Sequence, residues 1–368
     1  MTVAPEARLA RSTLGPYLRV AAGESVTVEA WSPALGWARA FVVESRRLGA
    51  TPTLLVEDEE AFFRALAEGG PVPRAPAPLA QRNGAHVYLE GPDAFHRLFG
   101  LRWAELRSAW SRHSDAWATS ARALRVRGAR VRATGLTSAA AARYQVDLAG
   151  WRGEILEASV VPPARLAGAA AALARRLVHA RRFTVTHPNG TRLEFEVRPE
   201  GWVEESGRPV AAAHRPDPVW MEIPTGRLTI PLVPRTVEGR WEANRPTHHR
   251  FAESPVDAGG RFAFHRGALQ EFAFDRGGEL FERTSARRLR RSHPLAAVAL
   301  GLNPRIVRAP EVGDLALGAV SLRFGRPLEA GPGGPGAPAY VSVLRGADVE
   351  VDGRPWLAEG RATRSAPR

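Results

Sequence analysis

An alternation of strand and helix patterns that ends near residue 181 constrains the fold of this chain more than any other feature. ESVTVEA (residues 24–30) alternates like a strand, and ALGWARAFVVESRRLGA (34–50) has the apolar spacing of a helix. TPTLLVED (51–58) indicates a second strand, EEAFFRALAEG a second helix and AHVYLEG (85–91) a third strand. This order predicts an α/β domain with a small parallel sheet.

The pattern changes after the Ala-rich helix predicted over residues 163–180. RRFTVTHPNGTRLEFEV (181–197) is typical of a hairpin around Pro-Asn-Gly. Short strands separated by turns follow it, with one helix predicted near residues 278–291. The sequence therefore predicts an α/β N-terminal domain over 1–180 and a β-rich α+β C-terminal domain over 181–368.

Composition excludes several classes of protein. The 368 residues suffice for two domains, and the absence of cysteine excludes disulfides, thiolate metal sites and cysteine nucleophiles. No apolar run approaches the roughly 18 residues of a membrane-spanning helix. The first residues lack the basic and then apolar pattern of a secretory signal. We therefore expect a cytoplasmic protein with no membrane partner.

The net charge of +13 raises the alternative of a nucleic-acid binder. Lysine is absent, so all 51 basic side chains are arginines, and they are spread along the chain. The two densest groups lie within residues 122–132 and 287–291, and no aromatic residues interleave with them as a stacking platform requires. This pattern favours a solvated basic surface over a nucleic-acid site.

Familiar catalytic motifs are missing from the sequence. It contains no Walker-type phosphate loop, no GxGxxG after the first strand and no GxSxG elbow. His248 and His249 are adjacent, and adjacent residues of a strand face opposite sides, so the pair is poorly suited to hold one metal ion. No histidine follows His293.

Several segments, in order, resemble the dinuclear metallo-aminopeptidases of the thermophilic type, the aminopeptidase T and aminopeptidase S family, which are leucyl aminopeptidase-like. They are GESVTVEAWSP, RRLGATPTLLVED, HPNGTRLEFEV, IPTGRLTIPLVPRTVEGRW, LAAVALGLNPRI, LALGAVSLRFG and DVEVDGRPWLAEGR. The resemblance covers nearly the whole chain. It implies an N-terminal α/β domain, a β-rich C-terminal domain with two divalent metals, peptide hydrolysis by a metal-activated water, and a homodimer.

The resemblance also implies which residues would hold the metals, and this sequence departs at each position. The family's two glutamates fall on Arg227 and Ala297, and its first histidine falls on Ser321. Its second histidine and its aspartate fall at or next to Tyr340 and Ser342. Arginine is a permanent cation without a free lone pair, and alanine offers no ligand atom. We therefore expect no metal cofactor and no hydrolysis by the ancestral mechanism.

Arg227, directly after the Pro-Thr-Gly turn, is the most informative of these substitutions. One hypothesis is that it binds a carboxylate or phosphate of a peptide or small anionic ligand, with help from Arg323 and Arg345. The other is that it forms an internal salt bridge, for instance with Glu222 or Glu242. Three functions stay open: a non-catalytic peptide- or partner-binding relative of the peptidases, a metal-independent enzyme acting on a peptide or amino-acid derivative, for example in biosynthesis, and a nucleic-acid binder.

Overall fold

The computed structural model describes residues 4–68, 84–91, 124–175, 177–198, 202–207, 220–245, 248–249, 258–278, 281–282, 295–310, 312–324 and 340–363. Up to residue 174, its helices and strands are α1 (Pro5–Ser12), β1 (Ser25–Trp31), α2 (Leu35–Arg47), β2 (Thr51–Glu57), α3 (Glu59–Ala67), β3 (Ala85–Leu89), β4 (Arg127–Val131), α4 (Ser138–Tyr144), α5 (Leu148–Ser159) and α6 (Pro163–Ala174).

Strands dominate the rest of the chain. They are β5 (Arg182–Thr186), β6 (Arg192–Glu196), β7 (Val203–Glu205), β8 (Trp220–Ile223), β9 (Arg227–Pro231), β10 (Glu238–Glu242), β11 (His248–His249), β12 (Arg261–His265), β13 (Ala268–Ala273), β14 (Leu295–Gly301), β15 (Val320–Phe324), β16 (Tyr340–Leu344), β17 (Asp348–Val351), β18 (Arg354–Ala358) and β19 (Arg361–Ala362). A short 3₁₀ turn, Gly313–Leu315, precedes β15.

The chain forms two compact units. The first comprises Met1–Ala141, Asp147–Pro163 and Gly207–Thr225, and the second comprises Ala142–Val146, Ala164–Ser206 and Gly226–Arg368. These units do not follow the predicted boundary at residue 181. Helix α6 belongs almost entirely to the second unit, and the chain returns to the first for β8, which pairs in parallel with β4. The short β8 was not recognised in the sequence, so this return was not predicted.

The first unit contains the predicted parallel sheet, with strand order β2-β1-β3-β4-β8. Val26, Val28 and Ala30 on one face of β1 are buried, as the alternating pattern requires. Helix α3 begins after Asp58, whose side chain accepts a hydrogen bond from the N–H of Ala61 at 2.7 Å. Among the described residues, no helix is long and apolar enough to cross a membrane.

The second unit contains two sheets. One has eight strands in the order β13-β12-β10-β6-β5-β17-β18-β19, and the other has six in the order β11-β16-β15-β14-β9-β7. The predicted hairpin is β5–β6, closed by a turn in which Gly190 has a φ of 102°. The mixed α/β class, with one parallel and two antiparallel sheets, is confirmed. The helix predicted near 278–291 lies almost wholly outside the described residues.

Glu238 on β10 supports the turn between β12 and β13. Its carboxylate accepts hydrogen bonds from the N–H of Arg266 at 2.8 Å and from the ring of His265 at 2.7 Å. The main-chain N–H of Arg266, followed by the His265 ring, holds the pKa of Glu238 below its usual range. A carboxylate whose pKa is lowered by folding stabilises the fold fully at a pH above its unfolded-state pKa. The contribution of Glu238 is therefore present at neutral pH and is lost as the pH falls through its folded-state pKa.

We therefore expect Glu238→Gln to lower the free energy of unfolding slightly at pH 7, by less than about 1 kcal/mol because the pair is exposed. At an acidic pH below the lowered pKa of Glu238, the variant and the wild type should be equally stable. Denaturant unfolding at both pH values checks this, with Glu271→Gln on the neighbouring β13 as the control. An equal difference between variant and wild type at the two pH values would contradict the assignment.

Candidate functional site

One face of the six-stranded sheet carries four of the predicted site residues. Arg227 on β9 pairs with Gly301 on β14, Ala297 on β14 pairs with Arg323 on β15, and Ala299 on β14 pairs with Ser321 on β15. Because directly paired residues share a face and alternate residues return to it, these side chains lie on one side of the sheet. We call Arg227, Ala297, Ala299, Ser321 and Arg323 the arginine face.

The turn before β9 fixes where the strand begins and therefore where Arg227 lies. Gly226 has a φ of 127°, a backbone conformation that residues with a side chain rarely adopt. A Cβ atom at this position would lie 3.1 Å from the Cβ of Asn303 and 3.2 Å from Leu166. Glycine is therefore required at residue 226 by the close approach of α6 and of the segment after β14, and Arg227 follows at the first position of β9.

Arg227 is held by two carboxylates. Its Nη1 donates to Oδ2 of Asp314 at 2.7 Å, and its Nε donates to Oε2 of Glu205 on the edge strand β7. Nη1 of Arg323 donates to the same Asp314 oxygen at 3.2 Å. Asp314 comes from the 3₁₀ turn Gly313–Leu315. We call Glu205, Arg227, Asp314 and Arg323 the ion-pair network.

The network is shielded from water on the side of Asp314. The exposed fractions of the side chains are 4% for Asp314, 9% for Arg323 and 12% for Arg227, whereas Glu205 is partly exposed. Two guanidinium groups and two carboxylates leave no net charge. Charges this deeply buried are tolerated only when they are paired and hydrogen-bonded, so the arrangement is strongly specified.

The hypothesis of an internal salt bridge at Arg227 is thus correct in kind, but both suggested partners are wrong. Glu222 instead accepts from Arg132 at 2.8 Å, and Glu242 lies on the other sheet of the second unit, in β10. Asp314 and Glu205, the actual partners, were not identified from the sequence. Each follows a segment without clear periodicity, and their pairing depends on a register that a single sequence does not reveal.

The small residues of the arginine face are fully buried. Ala297 and Ser321 each have an exposed fraction of 0%. The Oγ atom of Ser321 has no hydrogen-bond partner among the described residues. The 3₁₀ turn packs on β14 and β16, so the turn itself covers this part of the sheet. The face offers a hydroxyl and two methyl groups where the resemblance would require carboxylate and imidazole.

Tyr340 and Ser342 lie on the opposite side of the sheet, and not beside Arg227 as expected. They pair with Phe324 and Leu322, whose side chains alternate away from the arginine face. The Tyr340 ring packs 4.7 Å from that of Phe281, and Ser342 Oγ accepts from Nε1 of Trp241 at 2.9 Å. Both are core residues between the sheets.

Val341 and Val343 take their place on the arginine face. They pair with Arg323 and Ser321, respectively, and are buried. The resemblance placed the second histidine and the aspartate at or next to Tyr340 and Ser342, and in a strand a shift of one residue reverses the face. Like alanine, valine offers a metal no ligand atom.

Arg345, the other predicted anion contact, is used elsewhere. It follows β16, and its guanidinium donates to the main-chain oxygens of Val307 and, at 3.5 Å, Ile306. Its own N–H donates to Oδ1 of Asn244 at 2.9 Å. These bonds give Arg345 a structural role in joining loops, and the structure does not bring it into the ion-pair network.

The residues at the positions where the resemblance implies ligands do not fit a pair of divalent metals. They are arginine, alanine, serine and two valines, which supply one neutral oxygen and one permanent positive charge. Among the described residues, no group of three or more histidine, aspartate and glutamate side chains could hold a metal ion. His248 and His249 form β11, whose backbone pairs with Val341 and Tyr340.

Three arginines of the first basic cluster, all within the described residues, form ion pairs with glutamates. On β4 and just after it, Arg127 binds Glu24 at 2.6 Å, Arg130 binds Glu90, and Arg132 binds Glu222. Arginines engaged by glutamates in this way are not free to contact phosphates, which disfavours a nucleic-acid interface at β4. The second cluster, within 287–291, lies outside the described residues.

Comparison with solved structures relates the fold to known proteins. Wild-type AmpT from Thermus thermophilus is similar over 97% of this chain and 98% of its own, with a TM-score of 0.67 and 20% sequence identity. 2,5-Dihydroxypyridine dioxygenase from Pseudomonas putida KT2440 is similar over 99% of both chains, with a TM-score of 0.56 and 14% identity. No protein-family model matches the sequence, and no curated protein sequence is similar to it. The fold is thus similar to that of AmpT.

Proposed function

We propose that this protein is a metal-independent, non-catalytic relative of the aminopeptidases that binds a peptide or a protein partner. The ion-pair network is the observation that carries the proposal. A guanidinium stands where the resemblance implies the first metal ligand, and its charge is neutralised internally, in a fold similar to that of AmpT. The former metal position is then a structural element that needs no ion.

The electrostatics of the arginine face support this proposal. A dinuclear site concentrates carboxylates to offset the charge of its cations. Here, two arginines already occupy the two available carboxylates, so an arriving divalent ion would meet a neutral network and would have to break buried ion pairs. Metal-activated water, the nucleophile of two-metal hydrolysis, has no place to form on these residues.

Glu205 is the part of the network that a ligand could replace. It is the most exposed member and lies on the edge strand β7, whereas Asp314 is buried and binds both arginines. A peptide carboxylate could exchange with Glu205 at Arg227 without disturbing Asp314. The proposed ligand class is accordingly a peptide or another small anion, and Arg227 is the proposed contact.

Two measurements test the proposal. The purified protein should show no hydrolysis of aminoacyl anilides, either as isolated or with added zinc, cobalt or manganese, with AmpT measured in parallel. Binding of a mixed peptide library should weaken in Arg227→Ala and stay unchanged in Arg308→Ala, a control arginine outside the network. Metal-dependent hydrolysis would refute the non-catalytic role, and equal binding by the two variants would remove Arg227 as the contact.

A metal-independent enzyme is the second candidate. The dihydroxypyridine dioxygenase supports only the possibility of a different chemistry, since similar folds host unrelated reactions. The metal independence of this candidate rests on the residues of the arginine face. Turnover of a peptide or amino-acid derivative that persists in the presence of EDTA would support this candidate and exclude the first. The nucleic-acid alternative predicts salt-dependent binding of mixed oligonucleotides, which we do not expect given the neutralised arginines of β4.

A further inference from the structure

One side of the parallel sheet in the first unit is polar. Parallel sheets are normally covered on both faces, so their strands are apolar on both sides. In β1, by contrast, Val28 lies on one face and Thr27 and Glu29 lie on the other. The register extends this difference across the sheet, since Glu29 pairs with Tyr88 on β3 and Tyr88 pairs with Arg130 on β4. Packing alone does not require these side chains. We call this side of the sheet the polar face.

Two carboxylates of the polar face lie where the strand order reverses. In the order β2-β1-β3-β4-β8, the chain runs outward from β1 to β2 and then returns to β3 on the other side of β1. Ligands of open parallel sheets bind at such a reversal, outside the carboxyl ends of the strands. Glu29 lies in the carboxyl half of β1, and Glu57 is the last residue of β2, paired with Trp31 at the end of β1.

Neither glutamate is paired with an arginine among the described residues. Glu57 has no hydrogen-bond or ion-pair partner there, and Glu29 binds only His86, through Oε2 at 2.9 Å. Arg130 on the same face is bound to Glu90 instead. Burial, and after it the negative charge of Glu29, raises the pKa of Glu57. The two glutamates therefore repel each other, and a positive charge between them would be stabilised.

A buried hydroxyl on the polar face is a second, independent observation. Thr27 is 1% exposed, and its Oγ1 has no hydrogen-bond partner among the described residues. It pairs directly with His86 and lies two residues before Glu29. A buried hydroxyl without a partner costs free energy, so its presence requires an explanation. A ligand that donates a hydrogen bond on this face supplies one.

Two aromatic rings beside the glutamates are held in fixed positions. Nε1 of Trp31 donates to Oη of Tyr88 at 3.2 Å, and that hydroxyl donates to the main-chain oxygen of Gly91 at 3.0 Å. The Phe62 ring packs 5.0 Å from Trp31. Burial raises the pKa of Tyr88 to about 12, so Tyr88 stays neutral and adds no charge. The rings exclude water and thereby strengthen the electrostatic attraction between the glutamates and a cation.

We propose that Glu29, Glu57 and Thr27 bind a primary ammonium group. Its three N–H donors match one oxygen from each side chain, and its charge offsets the repulsion between the glutamates. A divalent metal fits less well, because the described residues contain no group of three or more histidine, aspartate and glutamate side chains that could hold one. The site belongs to the first unit and does not involve Arg227, so it does not depend on the proposed function.

Titration of the full chain with n-propylammonium tests the proposal. With isotope-labelled tryptophan, the NMR signal of the Trp31 indole should shift in a saturable manner. Glu57→Gln and Glu29→Gln should each weaken binding about tenfold. Glu68→Gln makes the same charge change at an exposed glutamate that follows α3, and it should bind like the wild type. So should Arg227→Ala, which lets this proposal and the proposed function fail separately. No saturable shift, or equal affinity in all variants, would overturn the ammonium site.

Thr27→Val separates ligand binding from a structural role. Valine keeps the shape of the side chain and removes the unpartnered hydroxyl, so the free energy of unfolding should stay equal or rise slightly. Ammonium binding should nevertheless weaken several-fold. Unchanged affinity in this variant would remove the third contact and with it the assignment of a primary ammonium.

Three further probes identify the source of the ammonium group. Trialanine amide carries it at the N-terminus, and N-acetyl-lysine amide carries it on the side chain. The tighter of the two indicates whether the site recognises a peptide N-terminus or a lysine. N-acetylated trialanine amide has no ammonium group and should not bind. Binding of this neutral probe as tight as that of trialanine amide would contradict recognition of a cation.

Discussion

Asp314→Ala is expected to lower the free energy of unfolding by about 3–5 kcal/mol, the cost of removing one partner from a buried ion pair. Asp314 is the shared acceptor of Arg227 and Arg323, and its removal leaves two guanidinium groups largely shielded from water without that carboxylate. Glu205 still holds Arg227, so the loss falls mainly on Arg323. Denaturant unfolding monitored by circular dichroism measures the effect.

Asp275 offers a matched control. It also forms an aspartate–arginine pair, with Arg261 at 2.9 Å, but both side chains are exposed. Asp275→Ala should therefore cost less than about 1 kcal/mol. Asp314→Asn keeps an acceptor oxygen and loses only the charge, so it should fall between the two and remains measurable even where Asp314→Ala fails to fold. Equal losses for Asp314→Ala and Asp275→Ala would mean that the ion-pair network contributes nothing to stability.

Phe262→Ala should also destabilise the protein strongly, by about 3–5 kcal/mol. Phe262 on β12 is buried and belongs to the eight-stranded sheet, yet its ring lies 5.0 Å from that of Phe324 on β15 in the six-stranded sheet. The Phe281 ring lies 5.5 Å away. Truncation removes contacts that join the two sheets and leaves a cavity that rigid strands fill poorly.

The volume of the side chain, and not its aromatic character alone, accounts for most of this effect. Phe262→Leu should therefore cost much less, about 1 kcal/mol. Leu317→Ala, at an exposed leucine, should be within about 0.5 kcal/mol of the wild type. The same unfolding measurement applies to all three variants. A loss for Phe262→Ala no greater than that for Leu317→Ala would show that the two sheets do not share one core.

Many strands, helices and turns of both units could be predicted because their sequence patterns are local. The alternation of β1, the helical spacing of α2 and the Asn-Gly turn between β5 and β6 each signal one structure. The allocation of α6 and β8 to units could not be predicted, since it depends on partners distant in sequence. β8 has only four residues, too few for a period to emerge.

The candidate site was predictable in part for the same reason. Arg227 follows a recognisable turn, and its need for carboxylates follows from charge alone. Asp314 as partner could not be predicted, because it lies 87 residues further along the chain in a turn without a pattern. Tyr340 and Ser342 were expected on the wrong face of the sheet. A resemblance between two sequences places a strand residue only to within one position, and the face to which a side chain points reverses at every residue.

The most direct test of the account is a crystal structure of the protein soaked in zinc, with anomalous diffraction recorded at the zinc edge. We predict no anomalous peak on the arginine face, with Nη1 of Arg227 still donating to Asp314. Two strong peaks beside Ala297 and Ser321, with Arg227 turned away from Asp314, would contradict the replacement of the metals by the ion-pair network.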